Sequence, residues 1–336
     1  MHKCVTKINH LRLAYANQHG GYIMNLADMD MKKEFEEYNK LAPVKTVRLN
    51  GGDFAYRYYK NPNPKVNVTL LVLAGGTGLA EGMFAMAKSF MDKYSLISFN
   101  YPMAFQNNEA TADAIYELIK YLKAENVYLW GQSYGGLLAQ IIAKRHPDAV
   151  KGLILTSTAS FSNDIRYEGM RCLSEMISEE KEKKRQRQYK RFPMFLLPAL
   201  MKLAFKKHMR NAPETYEAVK ELMDQIKGSM SREYFLHMQA LRGDLRNHFG
   251  THHKADFSFL KGRVLIIEPE DDKTFTEDIK DALVNIMTEP KVVRDMQGGH
   301  LAIMLSPDET LQIMDEFFAT QKLDETEACA DSADVI

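Results

Sequence analysis

Cysteine is scarce in this chain, and the few present do not cluster. Cys4, Cys172 and Cys329 are odd in number, far apart and outside any metal-ligand spacing, so neither a disulfide framework nor a bound metal is expected. They read as free thiols of a reducing compartment, which makes a cytoplasmic location the expectation. No run of about 18 uninterrupted apolar residues occurs, and no charged start leads into a long apolar stretch, so neither a membrane span nor a signal peptide is expected. Charge of one sign is not in excess either: 44 Lys and Arg balance 44 Asp and Glu. That balance gives a nucleic-acid partner no electrostatic footing. What remains is an ordinary soluble composition, 45% apolar and 26% charged, over 336 residues, enough for one domain with an insertion.

Short apolar strands alternate with amphipathic segments along most of the chain. A hairpin is expected from 44–49 and 54–59 around Asn50-Gly51-Gly52. Further strands fall near 68–73, 94–100, 126–130, 151–156, 263–267 and 291–296, with helices near 81–92, 109–123, 134–145, 275–287 and 308–319. This alternation predicts an α/β fold, a mostly parallel central sheet with helices on both faces. Residues 161–257 break it, being helical in pattern with no convincing buried strand.

The expected organisation is an N-terminal extension at 1–43, a core made of 44–160 and 258–321, an all-helical insertion at 161–257, and a tail at 322–336. Residues 1–28 are poorly patterned, and methionines recur at Met24, Met29 and Met31, so the first two dozen residues are expected to be a flexible extension or to precede the natural start. The tail is acidic and rich in small residues, which suggests disorder.

One motif carries chemistry. Residues 131–135 read Gly-Gln-Ser-Tyr-Gly between the apolar run 126–130 and a helical pattern through Leu137, Leu138, Ile141 and Ile142. A strand, a tight G-x-S-x-G turn and a helix would force Ser133 into a strained corner with its Oγ projecting from the end of a sheet. Gly131 and Gly135 suit a strand and helix too close together for a Cβ. Ser133 is then a candidate nucleophile.

In this strand–elbow–helix setting the chain resembles the α/β-hydrolase superfamily over most of residues 45–320. The resemblance implies a triad in the order Ser, acid, His. The loop Glu268-Pro269-Glu270-Asp271-Asp272 matches the family's x-G-x-x-D with Pro269 in place of Gly, and so implies Asp272 as acid, with Asp271 or Glu270 as alternatives. Gly299-His300-Leu301, running on to Pro307, matches the family's His segment and implies His300 as base. The three residues are 139 and 28 positions apart. Ala74-Gly75-Gly76-Thr77-Gly78 stands where similar hydrolases carry H-G-G-x-G. It implies the backbone N–H groups of Gly76 and Tyr134 as oxyanion donors. The loop lacks both the P-loop and the Rossmann spacing, so no nucleotide cofactor is expected, and the implied chemistry needs no cofactor or metal.

The resemblance makes the insertion a cap over the active site. Within it the charged run 178–191 reads as a solvated helix face. The apolar stretch 192–207 is expected to pack over the pocket; a lid lying on a membrane surface is the less favoured reading, because Pro193 and Pro198 interrupt a long interfacial helix. A serine nucleophile argues against the dehalogenase and epoxide-hydrolase branches, whose elbow residue is Asp. The implied activity is hydrolysis of a carboxylic ester of a small or medium apolar substrate through an acyl-enzyme. Amide, peptide, thioester or C–C bond hydrolysis is an alternative. The segment Asn100-Tyr101-Pro102, in place of the common D-x-R-G-x-G-x-S loop, resembles maspardin-like proteins and adds a catalytically silent binding role as a further alternative. A small-molecule substrate is the expected partner; substrate identity and oligomeric state are left open.

Overall fold

The computed structural model describes residues 26–162, 178–208 and 213–321. The expected tail, residues 1–25 with the alternative start at Met24, and parts of the insertion lie outside the described residues. The first α-helix of the described residues, α1 (Met31–Leu41), is one that sequence patterning did not mark. Its start is fixed by Asp30, whose side chain accepts from the N–H groups of Lys32 and Lys33, satisfying donors that the first turn leaves open. Met31, Phe35 and Tyr38 form its inward stripe: Phe35 meets Phe84 edge-on, and the Tyr38 hydroxyl bonds Ser98 Oγ at 2.7 Å.

Among the described residues there are eight strands, β1 (Lys45–Leu49), β2 (Gly52–Tyr59), β3 (Thr69–Leu73), β4 (Ser95–Ser98), β5 (Val127–Gln132), β6 (Gly152–Thr156), β7 (Val264–Ile267) and β8 (Lys291–Val293). They form one sheet in the order β1-β2-β4-β3-β5-β6-β7-β8. β1 and β2 pair antiparallel across Asn50-Gly51, both at positive φ, as a two-residue hairpin turn requires. β2 pairs antiparallel with β4, and every later pairing is parallel.

Helices α2 (Phe84–Met91), α3 (Asn108–Leu122), α4 (Tyr134–Arg145), α9 (Glu277–Ile286), a short α10 (Ala302–Leu305) and α11 (Pro307–Phe318) belong to the core. With helices on both faces, the central strands β3, β6 and β7 are buried at every position. That is why they read as continuous apolar runs rather than alternating ones. Each fully buried aliphatic side chain there contributes about 1.5–3 kcal/mol.

The insertion contributes α5 (Glu179–Arg191), α6 (Leu197–His208), α7 (Pro213–Ile226) and α8 (Arg232–Asp244). Among its described residues the only β pairing is an isolated bridge of Ser162 with His252, which draws the two ends of the insertion together. α6 rests on α7, tied by Lys202 to Asp224 at 2.8 Å. Leu197, Met201 and Phe205 face inward, while Phe195, Leu200 and Leu203 are 81%, 49% and 62% exposed. The apolar stretch expected to cover the pocket therefore has an inward and an outward row. No helix of the described residues is long and apolar enough to cross a membrane.

Candidate active site

β5 ends in the elbow. Ser133 sits at φ +54° and ψ −116°, outside the conformations an L-residue adopts without strain. Its neighbours hold it there. Ser133 N–H donates to the Thr156 carbonyl at 3.0 Å, and its own carbonyl accepts from Gly136 N–H at 3.0 Å and from Thr158 Oγ1 at 2.6 Å. The glycines are sterically required. A Cβ on Gly131 would lie 2.4 Å from the Gly135 carbonyl oxygen, and one on Gly135 would lie 2.0 Å from that of Leu73.

The loop after β7 and the loop after β8 meet beside the elbow. His300 Nδ1 lies 2.9 Å from Asp272 Oδ2. Asp272 is buried, and its other oxygen accepts from Thr274 N–H at 2.8 Å. Burial works to raise its pKa, but the hydrogen bond and charge of His300, with Thr274, bring it below the ordinary carboxylate value. Asp271 is placed differently: its two oxygens accept from Gly298 N–H and Gly299 N–H at 3.1 and 2.8 Å. Both glycines have positive φ, so Asp271 pins the turn that carries His300. Glu270 is exposed. The His300 ring is half-buried, with Phe275 edge-on at 5.7 Å.

The glycine-rich loop after β3 lies across from this pair. Gly75 passes the elbow so closely that a Cβ there would sit 2.2 Å from Gln132 Oε1. Gln132 Nε2 in turn donates to the His300 carbonyl at 3.2 Å. Tyr101, in the segment that departs from the common loop, donates from its hydroxyl to the Ala74 carbonyl at 2.9 Å. Tyr101 N–H donates to the Tyr234 hydroxyl, which itself donates to the Gly78 carbonyl at 2.7 Å. The elbow residue Tyr134 is buried, and its hydroxyl donates to Asn108 Oδ1 at 2.7 Å. Asn108 in turn bonds the Leu241 carbonyl and Asp244 of α8.

Two groups here were not singled out from sequence. Glu268, at the end of β7, is fully buried. Its Oε1 accepts from Thr158 N–H at 3.0 Å, while Oε2 has no partner among the described residues. Burial, opposed by the Thr158 bond and assisted by the nearby Asp272 charge, pushes its pKa up to about 8. The other is Gln132, which bridges the glycine-rich loop and the His300 turn. Its position inside the G-x-S-x-G pattern gave no sequence signal for that role.

Residues 88–307 match the alpha/beta hydrolase fold family. No curated protein matches the chain in sequence. Among solved structures it is similar to an enol-lactonase from Burkholderia xenovorans LB400, with 14% identity over 82% of this chain and 100% of that one and a TM-score of 0.62. It is similar to a thermophilic esterase from Thermogutta terrifontis, with 18% identity over 83% and 98% and a TM-score of 0.60. It is similar again to an epoxide hydrolase from Bacillus megaterium, with 16% identity over 82% and 100% and a TM-score of 0.61. At these identities the likeness is one of fold.

Proposed function

Since this chain belongs to the alpha/beta hydrolase fold family, we propose that it is a serine hydrolase working through Ser133, His300 and Asp272, most simply on a carboxylic ester. The observation that carries this reading is the 2.9 Å bond of buried Asp272 to His300 Nδ1, beside a serine held at the strained elbow. That bond leaves Nε2 of His300 as the nitrogen able to take a proton, the arrangement a serine nucleophile needs.

In the proposed reaction Ser133 Oγ attacks the ester carbonyl carbon while its proton passes to His300 Nε2. The N–H groups of Gly76 and Tyr134 receive the developing oxyanion, a contribution of about 3–4 kcal/mol per donor in comparable sites. Collapse of the tetrahedral intermediate breaks the bond to the leaving alcohol, which takes the proton back from His300. Water, deprotonated by His300, then attacks the acyl-enzyme and releases the acid, restoring Ser133. Asp272 orients the imidazole throughout and stabilises its charged form. Retention of all three side chain types together also weighs against a silent binding role.

A panel of para-nitrophenyl esters of increasing acyl length tests the proposal. Wild type is expected to turn over the shorter members, and Ser133→Ala to lose several orders of magnitude of kcat on all of them. Hydrolysis that survives in Ser133→Ala would refute it.

A further inference from the structure

The α8 helix lies along the glycine-rich loop with one row of side chains, Tyr234, Met238 and Arg242, spaced four residues apart and therefore on one face. Tyr234 and Met238 press on Gly78: a Cβ there would stand 2.6 Å from the Tyr234 hydroxyl and 2.4 Å from Met238 Sδ. One turn further, Arg242 lies over Gly76, its Cδ, Nε and Cζ each 3.7 Å from where a Cβ on Gly76 would be. The row is well fixed, because Asn108, itself held by the Tyr134 hydroxyl, bonds the Leu241 carbonyl and Asp244 at the same end of α8.

Arg242 is half-buried, yet among the described residues no carboxylate answers its charge. The charged group acting on it is another cation, Arg185 of the adjoining α5; Tyr189 and Tyr134 are its other electrostatic neighbours. Burial first, and then Arg185, hold its pKa below the usual guanidinium value, though an arginine stays charged. Its neighbour one turn on shows the ordinary solution: Arg246 pairs with Glu182 of α5 at 2.6 Å. Two arginines from two cap helices, both partly withdrawn from water and with no carboxylate partner among the described residues, are costly to keep together unless an anion is to come between them.

We propose that Arg242, with Arg185 behind it, is the recognition group for a negatively charged substituent of the substrate, so that the preferred substrates are esters bearing a carboxylate or similar anion. This rests on the reading of Ser133 as nucleophile and of Gly76 as an oxyanion donor, because it is Gly76 that places Arg242 at the edge of the reacting carbonyl. A guanidinium there forms charge-assisted, bidentate bonds to a carboxylate that a neutral acyl chain cannot make. Arg242 is a specificity residue here and takes no part in proton transfer.

The test compares para-nitrophenyl butyrate with para-nitrophenyl hydrogen succinate, acyl chains of equal length that differ in a terminal carboxylate. In the wild type, kcat/KM is expected to favour the succinate by about tenfold or more. Arg242→Met is expected to bring that ratio near one, chiefly through KM of the succinate, and Arg242→Lys to restore part of it. A wild-type ratio near one, or an unchanged ratio in Arg242→Met, overturns the proposal. Titration of methyl hydrogen succinate into Ser133→Ala, with Arg or Met at 242, reads the same site without turnover; heat that does not depend on Arg242 also overturns it. The two readings fail separately. Activity that persists in Ser133→Ala removes the serine mechanism, whereas activity lost in that variant beside a ratio indifferent to residue 242 removes only the anion site.

Discussion

Gln132 ties the nucleophile strand to the histidine turn: its Nε2 donates to the carbonyl oxygen of His300 at 3.2 Å. The same side chain fills the space that the missing Cβ of Gly75 leaves. One amide thus touches two of the three loops that make up the site. Its expected role is positioning, since it meets the main chain of His300 and not the imidazole. Gln132→Met keeps the bulk and removes the donor. It should lower kcat about tenfold while KM holds within about twofold, as expected when only the geometry of the reacting groups is disturbed. A loss that falls on KM alone would point to a pocket-lining role instead.

The two neighbouring aspartates should separate sharply under substitution. Asp272→Asn replaces the carboxylate that fixes the His300 tautomer by a neutral amide that can also donate to Nδ1, and kcat should fall by about three to four orders of magnitude. Asp271→Asn weakens two bonds to the glycines that pin the His300 turn, and should cost about tenfold with a lowered Tm. Steady-state kinetics of the two variants side by side checks this. Equal losses would mean that the turn, and not the imidazole partner, is what matters.

Glu268 predicts a pH dependence of stability. Its pKa is about 8 in the folded protein against 4.5 as the ordinary value, so between those values the folded state holds a proton that the unfolded state has released. Stability from this group is therefore complete below about pH 4.5 and declines as the pH rises towards 8. Asp272 facing it opposes ionisation, while Lys280 and Arg294 favour it. Glu268→Gln keeps an acceptor for Thr158 N–H and cannot ionise. Thermal melts should show the variant several degrees more stable than wild type at pH 8.5 and nearly equal at pH 5. A difference that does not change with pH would contradict the assignment of a buried, protonated carboxyl.

The elbow glycines predict a contrast of another kind. Gly135→Ala places a Cβ against the Leu73 carbonyl and should cost about 3 kcal/mol in chemical denaturation. Gly228→Ala meets nothing within 4 Å and should change stability by less than about 0.5 kcal/mol.

Much of the fold was legible because burial on both faces makes β3, β6 and β7 continuous apolar runs, and because Asn50-Gly51 marks a hairpin by its backbone requirement. α1 was not, since Met31, Phe35 and Tyr38 are diluted among Lys and Glu that hide a three-residue stripe. Within the site, chain order and spacing picked out Asp272 and His300, which the fold brings to 2.9 Å. The same loop left Asp271 and Glu270 as alternatives to Asp272, and what separates the aspartates is contact: Asp272 meets the His300 ring, while the oxygens of Asp271 turn to Gly298 and Gly299. Glu268, Gln132 and Arg242 were unreadable for one shared reason. Their roles come from contacts made by packing, Glu268 with Thr158 across 110 positions, Gln132 with His300 across 168 and Arg242 with Gly76 across 166, and no local pattern records them.

Labelling with a fluorophosphonate, followed by peptide mass spectrometry, tests the central claim most directly. The reagent phosphonylates a serine only where a base and oxyanion donors activate it. The expected result is a single adduct on Ser133, absent from Ser133→Ala and much slower to form in His300→Ala. A folded wild-type protein that stays unlabelled, or one labelled at another residue, contradicts the assignment of Ser133 as nucleophile.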